Sequence, residues 1–223
     1  MSKQLKKLLG TEFLNSSVFK RAMTHRSVSG KNNNERMEFL GDSVLGVVIT
    51  EALYHGMPDA TEGYLSRLRA SLVNESVLAE ISIELKLGDL LKLGSGELKS
   101  GGFRRSSILA DALEALIASV FLDQGMEAAK ALVLSLFDVR LKNLPAEDEL
   151  KDPKSRLQEF LQSRGHDIPS YTLLSTTGDA HRQTFTTECF IESLNIRTQG
   201  ASTSRRKAEQ ECAASAYQKV ISK

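Results

Sequence analysis

Carboxylates occur in two packets whose spacing suits joint work on a cation. The run Glu35-Arg36-Met37-Glu38-Phe39-Leu40-Gly41-Asp42-Ser43 carries three acids, and Ile108-Leu109-Ala110-Asp111-Ala112-Leu113-Glu114-Ala115-Leu116-Ile117 carries two. Positions i, i+3 and i+7 share one helical stripe, so Glu35, Glu38 and Asp42 point the same way, as do Asp111 and Glu114. Both stripes sit in text too apolar for a solvated helix face. Met37, Phe39, Leu40, Val44, Leu45, Val47, Val48 and Ile49 wrap most of the first helix, and Asp111 and Glu114 are the only charges between Ile108 and Leu122. Acids placed there go to the interior or to an interface. Crowded in a partly dry cleft they repel, so either some take up protons or a cation sits among them. Mg2+ is the natural guest: it is hard, prefers oxygen ligands and retains waters, one of which can attack a phosphodiester. Calcium needs more ligands, and zinc prefers His or Cys. The competing use of these acids is ion pairing to Arg36, Arg104 or Arg105, and spacing alone leaves both open.

Two glycines inside the first acidic helix add a constraint. Gly41 and Gly46 each cost roughly 1 kcal/mol against alanine in a helix interior, and the simplest compensation is the close approach of another backbone. Covalent catalysis has no support. No serine or cysteine lies in a nucleophile motif, and His25, His55, His166 and His181 read as isolated packing or capping residues. Cys189 and Cys212 lack metal-ligand spacing and read as reduced, buried thiols.

The elements that must carry the acids are helical. From Lys3 to Leu141 apolar residues recur at three- and four-residue steps, predicting helices over Phe13–Met23, Met37–Leu53, Thr61–Leu87, Ile108–Phe121 and Met126–Leu141. Leu93 to Gly102 is a glycine-rich connection. It is not a nucleotide-phosphate loop, because Leu98 stands where a glycine must precede Lys99 and no strand leads into it. Residues 142–151, with Pro145 and the run Glu147-Asp148-Glu149, read as a linker. Beyond it the pattern changes to a helix Pro153–Arg164, strands Ser170–Thr176, Thr184–Ile191 and Leu194–Ala201, and a helix Ser204–Ile221. The expected architecture is therefore an all-α domain over 3–141, a linker over 142–151, and a small α+β domain (α-β-β-β-α) over 152–223, its antiparallel sheet carrying both helices on one face.

Composition excludes little else. The chain has 223 residues, 41% of them hydrophobic, which supports real cores. Lys and Arg number 29 against 28 Asp and Glu, so whole-chain charge points to no partner. The split is equally flat: residues 1–151 hold 19 basic and 20 acidic side chains, residues 152–223 hold 10 and 8. The start, Met1 to Leu9, is basic without the apolar core of a secretory signal. The most apolar stretch, Ile108–Leu122, is shorter than the roughly 20 residues a membrane span needs. A cytoplasmic protein without membrane partner or organic cofactor is expected.

A nucleic-acid expectation rests on a local cluster. Ser202-Thr203-Ser204-Arg205-Arg206-Lys207 puts three cations where the last helix begins, against the preference of the helix dipole. With Ser204 as cap and free backbone N–H groups, that end is made to hold phosphates. Gln158 on the small domain's first helix and the turn Gly178-Asp179-Ala180-His181 complete three regions. Together they suit successive minor grooves and the intervening phosphates of A-form RNA. No exposed aromatic row favours single strands.

These blocks resemble the bacterial ribonuclease III family. Glu35–Ser43 matches its signature. Thr24-His25-Arg26-Ser27, Gly96 to Arg105 and Asp111–Ala115 are similar to its other blocks, and the C-terminal part resembles a double-stranded RNA-binding domain. The resemblance implies a homodimeric, Mg2+-dependent endonuclease, with Mn2+ able to stand in, that cuts both strands of duplex RNA to 5′-phosphate and 3′-hydroxyl ends. Processing of ribosomal RNA precursors and other structured transcripts follows from it. It also implies that Glu38, Asp42, Asp111 and Glu114 form the metal and catalytic cluster, with Glu38, Asp111 and Glu114 the direct ligands, and that Asp42 and Glu114 hold and activate the attacking water and leaving 3′-oxygen. Glu35 would lie at the edge towards the RNA, and the apolar signature helix, Phe39 included, would gain a partner surface. The chain departs from the binding-domain pattern at Glu209, where lysine is usual, and at Cys212, where alanine is. Two other readings are a duplex-RNA binder that does not cut and an all-α nucleotide pyrophosphohydrolase; the first leaves the acids unused, the second the tail.

Overall fold

The structure is a computed structural model and describes residues 3–179 and 182–222. It divides into two units, Met1–Pro145 and Ala146–Lys223. The first is built of helices: α1 (Lys3–Leu9), α2 (Thr11–Asn15), α3 (Ser17–Ala22), α4 (Glu35–Gly56), α5 (Glu62–Leu72), α6 (Glu75–Leu85), α7 (Ser95–Lys99), α8 (Ser106–Gln124) and α9 (Met126–Lys142). None of the described helices is long and apolar enough to cross a membrane.

Helix α8 is the pillar of this unit. Between Ile108 and Val120 every residue is buried except Asp111 and Glu114. Around it pack α4, α6, α9 and α3. Each fully buried leucine there, such as Leu109 or Leu113, contributes about 2 kcal/mol of apolar burial. Helix α4 turns Met37, Val44, Leu45, Val48, Ile49 and Leu53 inward. Its opposite stripe, Phe39, Ser43, Val47, Thr50 and Tyr54, is exposed, with Phe39 78% accessible.

Several expected helices are shorter because polar caps end them. The run Thr61–Leu87 breaks at Val73 and Asn74, where the Asn74 Oδ1 accepts the Val77 N–H at 3.0 Å and starts a new helix. Ser16 divides Phe13–Met23 in the same way, its Oγ accepting the Phe19 N–H. Apolar periodicity runs straight through both caps, so the pattern alone predicts one helix where the backbone makes two. The glycine-rich connection holds the short α7 and a 3-10 turn, Gly102–Arg104.

The second unit opens with α10 (Glu147–Leu150), so the expected linker holds a turn of helix, and its Lys151 pairs with Asp148 and Glu159. Then follow α11 (Pro153–Ser163), β1 (Ser170–Thr177), β2 (Thr184–Ile191), β3 (Ile196–Ser202) and α12 (Arg205–Ile221). The strands form one antiparallel sheet in the order β1-β2-β3, with a bulge between Leu173 and Ser175. The third strand starts two residues later than expected, because Glu192–Leu194 forms a 3-10 turn and Asn195 is left-handed (φ 49°). Leu157, Leu161, Cys189, Ile191, Cys212 and Ala216 lie in the core of this unit. Gly200 is required in β3: a side chain there would collide with the α12 backbone at Ala208 and Cys212. Both cysteines are free and buried, and burial pushes the Cys212 thiol up to about 11.

Candidate metal centre and nucleic-acid interface

The acids meet where α4 crosses α8. At the crossing Gly41 faces the carbonyl of Glu114 so closely that no β-carbon fits. The compensation expected for a glycine in mid-helix is thus met here. At Gly46 nothing of the chain lies within 4 Å, and that residue borders the exposed stripe of α4. Glu38 lies one turn before Gly41, and Asp111 one turn before Glu114. The two stripes therefore converge: ligand oxygens of Glu38, Asp111 and Glu114 all lie within 4.8 Å of one another. Asp42 is exposed and adds no atom to that trio, but its charge acts on Glu114. Glu35 is exposed at the rim, paired to Arg26 at 3.3 Å and accepting from Asn33 Nδ2 at 3.2 Å.

The trio is only partly compensated by nearby positive charge. Burial, with Asp42, Glu38 and Asp111 adding repulsion, pushes the Glu114 carboxyl up to about 8. Burial first, then the charge of Asp111, raises Glu38. Asp111 is raised chiefly by burial, although His25 and Arg26 oppose the shift. Among the described residues none of Glu38, Asp42, Asp111 and Glu114 makes an ion pair within 4 Å. Arg105 is paired instead with Glu97 at 3.3 Å. The alternative use of these acids, pairing with Arg36, Arg104 or Arg105, is not what the fold does with them. An all-oxygen set, half-buried and short of positive charge, fits a hard divalent cation.

Beside the acids lies a cavity of about 300 Å³, lined in part by residues for which sequence reasoning supplied no role, Asn34, Glu97 and Ser107. Glu38 and Asp111 form one wall, and Arg26, Asn34, Glu97 and Arg105 lie around it. The loop bearing His25 is laced to the segment before α7: His25 N–H donates to Lys92 O (3.0 Å), Lys92 N–H to Met23 O (2.8 Å), and Gly94 N–H to Ser27 Oγ (2.8 Å). Ser27 Oγ also meets His25 Nδ1 at 2.8 Å. These contacts join segments 67 residues apart, and no local spacing announces them. The only signal was polar residues gathered in short, glycine-rich or serine-rich connections.

In the small unit Ser204 caps α12, its Oγ accepting the Lys207 N–H at 3.3 Å. Arg206 and Lys207 are exposed and free of ion pairs among the described residues. Arg205 is not free: its Nε donates to Glu209 Oε1 at 2.9 Å, and Lys154 Nζ holds the other oxygen at 2.6 Å. These two cations hold the Glu209 carboxyl below the usual range. Gln158 is exposed on α11. His181 lies outside the described residues.

Residues 15–139 match the family model described as Ribonuclease-III-like, and residues 153–220 match the Double-stranded RNA binding motif. Two proteins named Ribonuclease 3, from Shewanella halifaxensis and Shewanella pealeana, are each 55% identical over 95% of this chain and 93% of their own length. A structure of the nuclease domain of ribonuclease III from Campylobacter jejuni, described for flexibility in the region involved in dimer formation, is 42% identical. It superimposes with a TM-score of 0.59, covering 63% of this chain and 99% of that one.

Proposed function

Because the chain belongs to the ribonuclease III family of double-stranded-RNA endoribonucleases, we propose that it uses Mg2+ to hydrolyse both strands of duplex RNA to 5′-phosphate and 3′-hydroxyl ends. The observation that carries this reading is the convergence of Glu38, Asp111 and Glu114, three carboxylates from two helices that no ion pair within 4 Å neutralises. They would hold the ion, and Mn2+ satisfies the same oxygen set. When bound, the ion supplies a Lewis acid for the phosphate and lowers the pKa of water. Asp42, on the open side of Glu114, holds and orients the attacking water and takes its proton, with Glu114 sharing that task and facing the leaving 3′-oxygen. Glu35, at the rim with Arg26, faces the RNA.

The α+β unit brings the duplex. The capped start of α12 with Arg206 and Lys207 takes phosphates, Gln158 on α11 takes a minor groove, and the segment between β1 and β2 that includes His181 takes the next groove. Arg205 joins them when its pair with Glu209 opens. Two strands of duplex RNA are related by local two-fold axes, so a two-fold homodimer offers each strand its own site. The exposed stripe of Phe39, Val47 and Tyr54 on α4 supports that pairing. Structured precursors in the cytoplasm, ribosomal RNA precursors among them, are the substrates this chemistry suits.

The test is a long RNA duplex incubated with the protein, with and without Mg2+. Short double-stranded products with terminal 5′-phosphate, formed only with the cation and not by Glu114→Gln, are the expected result. Cleavage that survives Glu114→Gln would remove the acid trio from the reaction.

A further inference from the structure

We propose that the cavity beside the acids is a ribose subsite, in which Asn34 and Ser107 hydrogen-bond the 2′-hydroxyl of a nucleotide flanking the scissile phosphate and so select RNA over DNA at the cut. This rests on the nuclease reading above and adds a specificity determinant to it. The cavity shares Glu38 and Asp111 with the metal trio, so whatever fills it is next to the reacting phosphate. Asn34 lines it, is only 2% exposed, and its Nδ2 makes no hydrogen bond. An amide buried without a partner is costly, and a ligand that completes it removes the cost. Its position at the start of α4 does not explain it, since the side chain forms no cap there. Glu97 Oε2 is likewise buried. It lies 3.3 Å from Arg105 Nη1 but accepts no hydrogen bond, while Ser107 is half-buried on the same cavity.

Charge narrows the class of occupant. Both arginines of the cavity already have carboxylates, Arg26 with Glu35 and Arg105 with Glu97. A phosphate would find little free positive charge, and a second cation would have to break those pairs. The buried groups of the cavity that make no hydrogen bond are a donor, Asn34 Nδ2, and an acceptor, Glu97 Oε2, and an uncharged hydroxyl is both. The 2′-hydroxyl is such a group, and it is the one that distinguishes RNA from DNA.

The experiment uses a short RNA duplex with one cut site, all-ribose or carrying a single 2′-deoxynucleotide on either side of the cut, and the full-length protein with Mg2+. The wild type should lose about tenfold in kcat/KM on one of the two deoxy substrates. Asn34→Ala should cut the all-ribose duplex about as slowly, and lose no more than about twofold further when that hydroxyl is removed. A merely structural defect would slow all substrates alike and leave the ribose-to-deoxy ratio intact, which overturns the proposal. Should Asn34→Ala fail to fold, Ser107→Ala, which changes one partly exposed hydroxyl, is read by the same ratio. Equal rates of the wild type on all three duplexes also overturn it. No cleavage of the all-ribose duplex would instead defeat the nuclease reading itself.

Discussion

Gly41 of α4 lies against the main-chain carbonyl of Glu114 in α8, with no room between them for a β-carbon. That approach is what makes a site out of two helices. Glu38 and Asp42 flank Gly41 on α4, and Asp111 lies one turn from Glu114 on α8, so the point of closest approach is also the point where the acids gather. Gly41→Ala must therefore push α4 away from α8. Since the opposing atoms are main chain and cannot rotate aside, the expected loss is about 3 kcal/mol, at the upper end for overpacking, together with cleavage activity. Gly46→Ala, which meets nothing of its own chain within 4 Å, should leave the fold intact and gain up to roughly 0.5–1 kcal/mol of helix propensity. Urea denaturation of the two variants at one pH checks the opposite signs.

The raised carboxyl of Glu114 makes the metal-free protein sensitive to pH. Folding moves this group from the ordinary 4.5 to about 8, so between those values the folded state binds a proton that the unfolded chain has released. Stability should therefore fall as pH rises across that window. In chelator, the melting temperature is expected to drop from about pH 5 to about pH 8, and Glu114→Gln should flatten the drop. Adding Mg2+ should restore the wild type at the alkaline end, where the site is charged, and do little at the acid end, where protons compete with the ion. A melting profile that Glu114→Gln leaves unchanged would show that Glu114 is not the titrating group.

The acid stripes were legible because helical periodicity is local: positions 35, 38 and 42 share a face whatever the rest of the chain does. That two such faces meet required only that both be too apolar for solvent, and Gly41 marked the contact. The cavity wall was legible only in part: Glu38 and Asp111 as acids, and the blocks around His25 and Glu97 through the family resemblance, but no role for Asn34 or Ser107. His25, Asn34, Glu97 and Arg105 reach it through loop-to-loop hydrogen bonds such as Gly94 to Ser27, which leave no repeat in the text. The break at Asn74 was hidden for the opposite reason: apolar spacing continued through it, and one side-chain oxygen on a backbone N–H decided the outcome. In the small unit the order of helix and strands followed from alternation. The neutralisation of Arg205, however, depends on Glu209 being drawn in by Lys154 from another helix.

The exposed stripe on α4 gives a test of assembly separate from one of chemistry. Phe39 is 78% accessible, so Phe39→Asp should change the stability of one chain by no more than about 0.5 kcal/mol. If two copies pair through this face, the charge is buried in the interface, and sedimentation should show monomers. The trio of Glu38, Asp111 and Glu114 is complete within one chain. The monomer is therefore expected to bind the cation and to nick one strand of a duplex where the dimer cuts both. A dimeric Phe39→Asp protein would move the interface elsewhere.

The three cations at the start of α12 should not be equivalent. Each phosphate contact releases a counterion and adds to the steepness with which affinity falls with salt. Arg206 and Lys207 are exposed and unpaired among the described residues, so replacing either with alanine should reduce that slope by about 1, equally for unrelated duplex sequences. Arg205 shares Glu209 with Lys154, so its alanine variant removes a charge already matched and should change the slope less. Glu209→Gln releases Arg205 and Lys154 together, and is expected to tighten binding at low salt while steepening its loss at high salt. The ordering separates two roles for Glu209. As a brake on RNA binding, its removal strengthens the complex; if it instead holds the two cations in position for phosphate, the same variant weakens binding at every salt concentration. The ion pairs at 2.6 and 2.9 Å, which take up both carboxylate oxygens, favour the brake, because a cation must leave a strong partner before it can serve a phosphate.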